Sequence, residues 1–149
     1  MNKSEITFKN VIAYFQGNFR YKLYYSRFKW LIPVHIRQQI RMRIQVMDRE
    51  CYNNGSCKIC GCKTTALQMA NKSCAGNCYP AMMSESEWGF LIKYTILAVK
   101  KKKWQVNMVV VFKELVNHPE YFDLDVTTKA GKREKTKILD KIVEDGQSK

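Results

Sequence analysis

Six cysteines fall between positions 51 and 78, with the spacing C-x5-C-x2-C-x-C-x11-C-x3-C (Cys51, Cys57, Cys60, Cys62, Cys74, Cys78). The 51–83 segment around them is rich in Gly, Asn, Ser and Lys, and its one apolar stretch is Ala66-Leu67-Gln68-Met69-Ala70. Such a segment cannot build a core from its own side chains, so something else must fix its shape. Bound metal is the natural means.

Cys57-Lys58-Ile59-Cys60-Gly61 has the form of a zinc knuckle. Two intervening residues let one turn place both sulfurs at about 2.3 Å from a tetrahedral ion. Cys74-Ala75-Gly76-Asn77-Cys78 is a second compact pair. Together Cys57, Cys60, Cys74 and Cys78 make a four-thiolate site for zinc (Zn). Cys51 or Cys62 can replace one member, or all six can hold two ions through bridging sulfurs. An iron–sulfur centre and free or disulfide-linked thiols are the competing readings. Lys58, Lys63 and Lys72 offset the negative charge of such a site, and no carboxylate lies within it. The 51–83 segment has no His or Glu to open a coordination position, so the expected zinc is structural.

The rest of the chain reads as mainly α, a small helical domain from which the irregular zinc-stapled cysteine-rich loop segment departs. Ser4 can cap a first helix bearing Phe8, Val11, Ile12 and Phe15 at helical spacing. Gly17-Asn18 interrupts it. A second helix, Phe19 to Trp30, buries Phe19, Leu23 and Phe28 and leaves Arg20, Arg27 and Lys29 in water. Pro33 precedes a third helix with the apolar stripe Ile36, Ile40, Ile44 and Met47, and Arg37, Arg41 and Arg43 on its other faces. Ser84-x-x-Glu87 is a capping box ahead of a helix through Trp88, Leu91, Ile92 and Val99. Lys100–Lys103 reads as a basic turn, and Trp104 to Val116 as a helix whose VVVF run also suits a strand. His118-Pro119 closes it. Thr127 to Arg133 reads as a loop, followed by a weak helix from Ile138 to Val143. The expected divisions are a basic aromatic helical region (1–50), the cysteine-rich segment (51–83), a helical region sharing the core (84–122) and a polar tail (123–149).

Charge narrows the partners. Lys and Arg number 26 against 13 Asp and Glu, a formal net charge of +13. Residues 1–50 carry ten basic and three acidic residues, a net of +7. That field attracts nucleic acid, an acidic protein partner or anionic lipid, through Arg20, Arg27, Lys29, Arg37, Arg41 and Arg43. No run approaches the roughly 20 apolar residues of a membrane span. No secretory signal is visible, and a reducing compartment favours metal over disulfides for the clustered cysteines. His35 and His118 read as ordinary boundary residues. Nucleophile, phosphate-loop and metalloprotease motifs are missing, so an enzyme is not expected.

Gly17-Asn18-Phe19-Arg20-Tyr21, Ile36 to Met47, Cys57-Lys58-Ile59-Cys60-Gly61-Cys62 and Cys74-Ala75-Gly76-Asn77-Cys78-Tyr79-Pro80 carry a resemblance. The chain resembles small cysteine-rich proteins of tailed bacteriophages that infect Bacteroidetes, the crAss-like phages in particular. Arg49 and Cys51 match the lead of the broader phage pattern, although a single cysteine stands where related patterns often have a pair. The resemblance covers residues 17–88. It implies a virion structural protein, an accessory or adaptor at the portal vertex or head–tail connector, made in the host cytoplasm. Its partners would be portal, capsid or connector subunits in a symmetric assembly of many copies. A nucleic-acid-binding zinc protein, such as a phage regulator, is the alternative.

Overall fold

A computed structural model describes residues 8–59, 61–102 and 106–147. Ser4, Cys60, Lys103 and Trp104 lie outside the described residues. Among the described residues the fold is helical without a sheet, the one β feature being an isolated antiparallel bridge between Ser56 and Lys63. The helices are α1 (Phe8–Tyr24), α2 (Val34–Val46), α3 (Arg49–Asn53), α4 (Thr64–Leu67), α5 (Glu85–Lys102), α6 (Met108–Glu114), α7 (Glu120–Asp123) and α8 (Lys129–Gln147). Two compact units meet at Met82–Met83 in the chain. No described helix is long and apolar enough to cross a membrane.

In the first unit, α1 runs unbroken through Gly17-Asn18, where an interruption was expected. The glycine serves contact rather than a break. A Cβ at Gly17 would run into the Ala66 carbonyl, so its absence lets α1 lie directly on α4. Ile32, Ile36, Ile40 and Met69 form the core beneath, with Leu23, Tyr24, Ile44 and Met82 packed on it. The cysteine segment therefore contributes Met69 to the core. The expected burial of Phe19 and Phe28 does not occur, since they are 65% and 44% exposed.

In the second unit the capping box forms as its sequence requires. The Ser84 N–H donates to Glu87 Oε2 at 2.9 Å, and the Glu87 N–H to Ser84 Oγ at 3.4 Å. The VVVF run is helical, within α6, and α5 continues through Lys100–Lys102. The expected loop at 127–133 and polar tail give way to α8, whose Leu139, Ile142 and Val143 are buried. Lys135 occupies the inner position one turn before Leu139. Its stem is buried, and its Nζ makes no hydrogen bond, lying 3.5 Å from Glu87 Oε1 and 4.1 Å from the Tyr121 ring centre.

Burial lowers the Lys135 pKa, opposed by Glu87. A depressed folded-state pKa means that the unfolded chain still holds a proton the native chain has released. Stability should therefore rise as pH climbs toward the ordinary lysine value of 10.5. Lys135→Met keeps the stem's packing and removes the buried charge. It should be neutral or stabilising by about 1 kcal/mol at neutral pH, and thermal melts should lose that alkaline rise. A loss above about 2 kcal/mol would show instead that the ammonium contributes net stability.

Candidate metal centre

The first cysteine turn is built around α3. Asp48 caps that helix, its Oδ1 accepting from the Glu50 N–H at 2.8 Å, and Cys51 is buried one residue later. The chain reverses at Gly55, with a positive φ of 65°. It then closes the knuckle with Cys57 N–H to Cys62 O at 2.9 Å and Gly61 N–H to Cys57 O at 2.8 Å. Gly61, φ 66°, supplies the left-handed residue such a turn needs. Lys58 ties both halves together. Its backbone N–H points to Cys51 Sγ at 3.5 Å, and its ammonium meets Asp48 at 2.9 Å and Glu50 at 3.2 Å. Those carboxylates raise the Lys58 pKa. Lys58 was expected to offset thiolate charge; its ammonium is instead paired with two carboxylates.

The second turn is closed by Cys74 N–H to Tyr79 O at 3.2 Å and Asn77 N–H to Cys74 O at 3.1 Å, with Asn77 at φ 51°. The Cys74 thiol is buried, and burial pushes its pKa up to about 11. The backbone N–H groups of Cys78 and Gly76 work against that rise, because both donate toward the sulfur. This is the hydrogen bonding a metal-bound thiolate uses. The two turns touch: a Cβ at Gly76 would stand 3.2 Å from Ile59 Cγ1 and 3.8 Å from Cys74 Sγ.

Tyr79, whose carbonyl closes the second turn, is fully buried, its hydroxyl without a hydrogen-bond partner. Burial raises its pKa, Arg43 works against that rise, and Cys74, Cys78 and Cys57 add to it. A buried hydroxyl lacking an acceptor costs about 1–3 kcal/mol. The N–H donors aimed at Cys74 fit a thiolate-held ion. The described side chains alone do not complete one: among the described residues no group of three or more His, Cys, Asp or Glu is gathered to hold an ion. Cys60, the fourth member of the expected quartet, lies outside them. Of the two surplus cysteines, Cys51 is buried against the knuckle and Cys62 is exposed.

Arg43, expected on an outer face of the third helix, turns inward. It is fully buried, donating to Ala70 O and Pro80 O at 2.6 Å each and to Gln68 O at 3.3 Å. Its guanidinium stacks on Tyr79 at 4.7 Å. Burial lowers its pKa to about 10, while Tyr79 and Cys74 pull the other way. A cation against the second cysteine turn thus comes from α2. Its signal in the sequence was position, three residues after Ile40 on the inner stripe. Arg20 does related work, reaching Met69 O at 3.0 Å and Asn71 Oδ1 at 2.7 Å. The six basic residues expected to meet a polyanion therefore divide. Arg20 and Arg43 hold the cysteine segment; Arg37 is half-buried; Arg41 and Arg27 are exposed; Lys29 rests 4.1 Å from the Tyr24 ring. His118 pairs with Glu120 at 2.8 Å, and His35 is half-buried.

No family model, curated protein or solved structure matches the chain.

Proposed function

We propose that the chain is a non-enzymatic adaptor, a bacteriophage virion component at the portal vertex or head–tail connector, stiffened by structural zinc on Cys57, Cys60, Cys74 and Cys78. One observation carries the adaptor reading. Phe8, Ile12, Phe15 and Phe19 stand at i, i+4, i+7 and i+11 on α1 and are 79%, 50%, 67% and 65% exposed. That stripe runs about 16 Å along the helix. Tyr25 and Trp30 beyond it are 62% and 70% exposed. A monomer seldom leaves such a patch uncovered, and aromatic side chains are enriched where proteins meet. Lys22 and Arg27 lie on the same segment and suit an acidic rim on the partner. The virion assignment itself is supported by the resemblance across residues 17–88.

Mass spectrometry of purified particles, with metal analysis of the isolated protein, tests the proposal. The expected result is the chain in the particle with about one zinc per chain. Phe15→Ser with Phe19→Ser should abolish incorporation yet change stability by under about 0.5 kcal/mol, because both rings are exposed. A metal-free protein absent from particles overturns the proposal. DNA binding that weakens steeply with salt would favour the regulator instead.

A further inference from the structure

The second unit holds a trough between α5 and α8, about 640 Å³ in volume. This is within the roughly 300–1,000 Å³ of ordinary ligand clefts. Ala98 and Val126 are its buried floor, and Phe90 and Leu97 continue it as partly exposed apolar walls. Gly89 also lines it, and a Cβ there would meet nothing within 4 Å, so the cleft is open at that end. Lys93 and Lys101 lie along the α5 wall and Lys132 on the α8 wall, all three exposed. Among the described lining residues Asp140 is the one carboxylate, and it already accepts from Tyr94 Oη at 2.7 Å.

Shape and charge select an occupant. An apolar floor with lysines on both walls suits an anionic amphiphile. Lys93 and Lys101 are eight residues apart on one helix, about 12 Å along its axis. One small carboxylate cannot reach both. Two acidic side chains about two turns apart on a helix lying along α5 can. We infer that the α5–α8 trough is a docking groove for an acidic amphipathic helix of a partner protein, which would enter with apolar side chains at i, i+3 or i+4 and i+7 and carboxylates on its flank. The groove stands on the second unit's geometry alone, independent of the zinc site and of the α1 stripe. With that stripe it would give the chain two protein-binding surfaces.

The test uses the full chain and a fluorescein-labelled synthetic amphipathic peptide with a Leu/Phe face and Glu flanks. A copy with Lys in place of Glu is the control. Fluorescence anisotropy should show saturable binding of the acidic peptide in about the micromolar range. Lys93→Glu with Lys101→Glu should weaken it at least about tenfold, and both side chains are exposed, so the fold is kept. Gly89→Leu, which fills the open end, should weaken it too, while Phe15→Ser leaves it unchanged. Amide NMR shifts should centre on Phe90, Leu97 and Val126. Absence of saturation by about 1 mM, equal binding of the lysine peptide, or shifts elsewhere each overturn the inference. So does binding of sodium dodecanoate at those residues without binding of the peptide, which would make the trough an acyl site.

Discussion

Arg43→Ala should cost the first unit about 3–5 kcal/mol. The side chain is fully buried and satisfies three carbonyls, on Gln68, Ala70 and Pro80. These acceptors belong to a segment with few bulky side chains of its own. Alanine would leave the carbonyls without donors and open a cavity against Tyr79. Arg43→Met separates the two causes, because it restores most of the volume but no donor. Arg43→Lys keeps the charge, yet a single ammonium lacks the planar fork that now reaches three oxygens. Urea denaturation followed by circular dichroism should order the variants Arg, Lys, Met, Ala. Hydrogen exchange should accelerate first in residues 64–80. If alanine costs less than about 1 kcal/mol, the three bonds are not what anchors the segment.

The same feature explains what could be read in advance. The α2 stripe, the break at Pro33, the Ser84 capping box and the stop at His118-Pro119 are local signals, and local physics decides them. Arg43 and Lys135 are not local cases. Each sits at the helical position where an apolar residue would complete a stripe, in α2 beside Ile36 and Ile40 and in α8 beside Leu139 and Ile142. A basic residue there hides the stripe, so α8 looked like a loop with a weak helix at its end. The acceptors and rings that make these positions tolerable come from distant parts of the chain. Phe19 and Phe28 err in the opposite direction: burial is expected of them, and they are exposed. Within the cysteine segment, spacing identified the two turns, and the structure sets them side by side at Ile59 and Gly76. The roles of Tyr79 and Arg43 depend on tertiary contacts that no spacing rule carries.

Gly17 and Gly89 put this distinction to a test of sign. Both are helical glycines, one in α1 and one in α5. Helix propensity alone says that alanine should stabilise either by about 0.5–1 kcal/mol. At Gly89 the added methyl group meets nothing within 4 Å, so the propensity gain should appear in full. At Gly17 it would collide with the Ala66 carbonyl oxygen and carbon, which are backbone atoms and cannot rotate aside. Helix α1 would have to lift from α4, loosening Met69 and the two bonds Arg20 makes to Met69 and Asn71. Overpacking of this kind costs about 1–3 kcal/mol, which outweighs the gain. Gly17→Ala should therefore destabilise, Gly89→Ala should stabilise, and the two melting temperatures should move apart. Larger residues at position 17 should extend the loss, with Gly17→Leu the worst. A stabilised Gly17→Ala would mean that α1 does not rest on α4 through this glycine, and the close approach that seats the cysteine segment against the first helix would have to be abandoned.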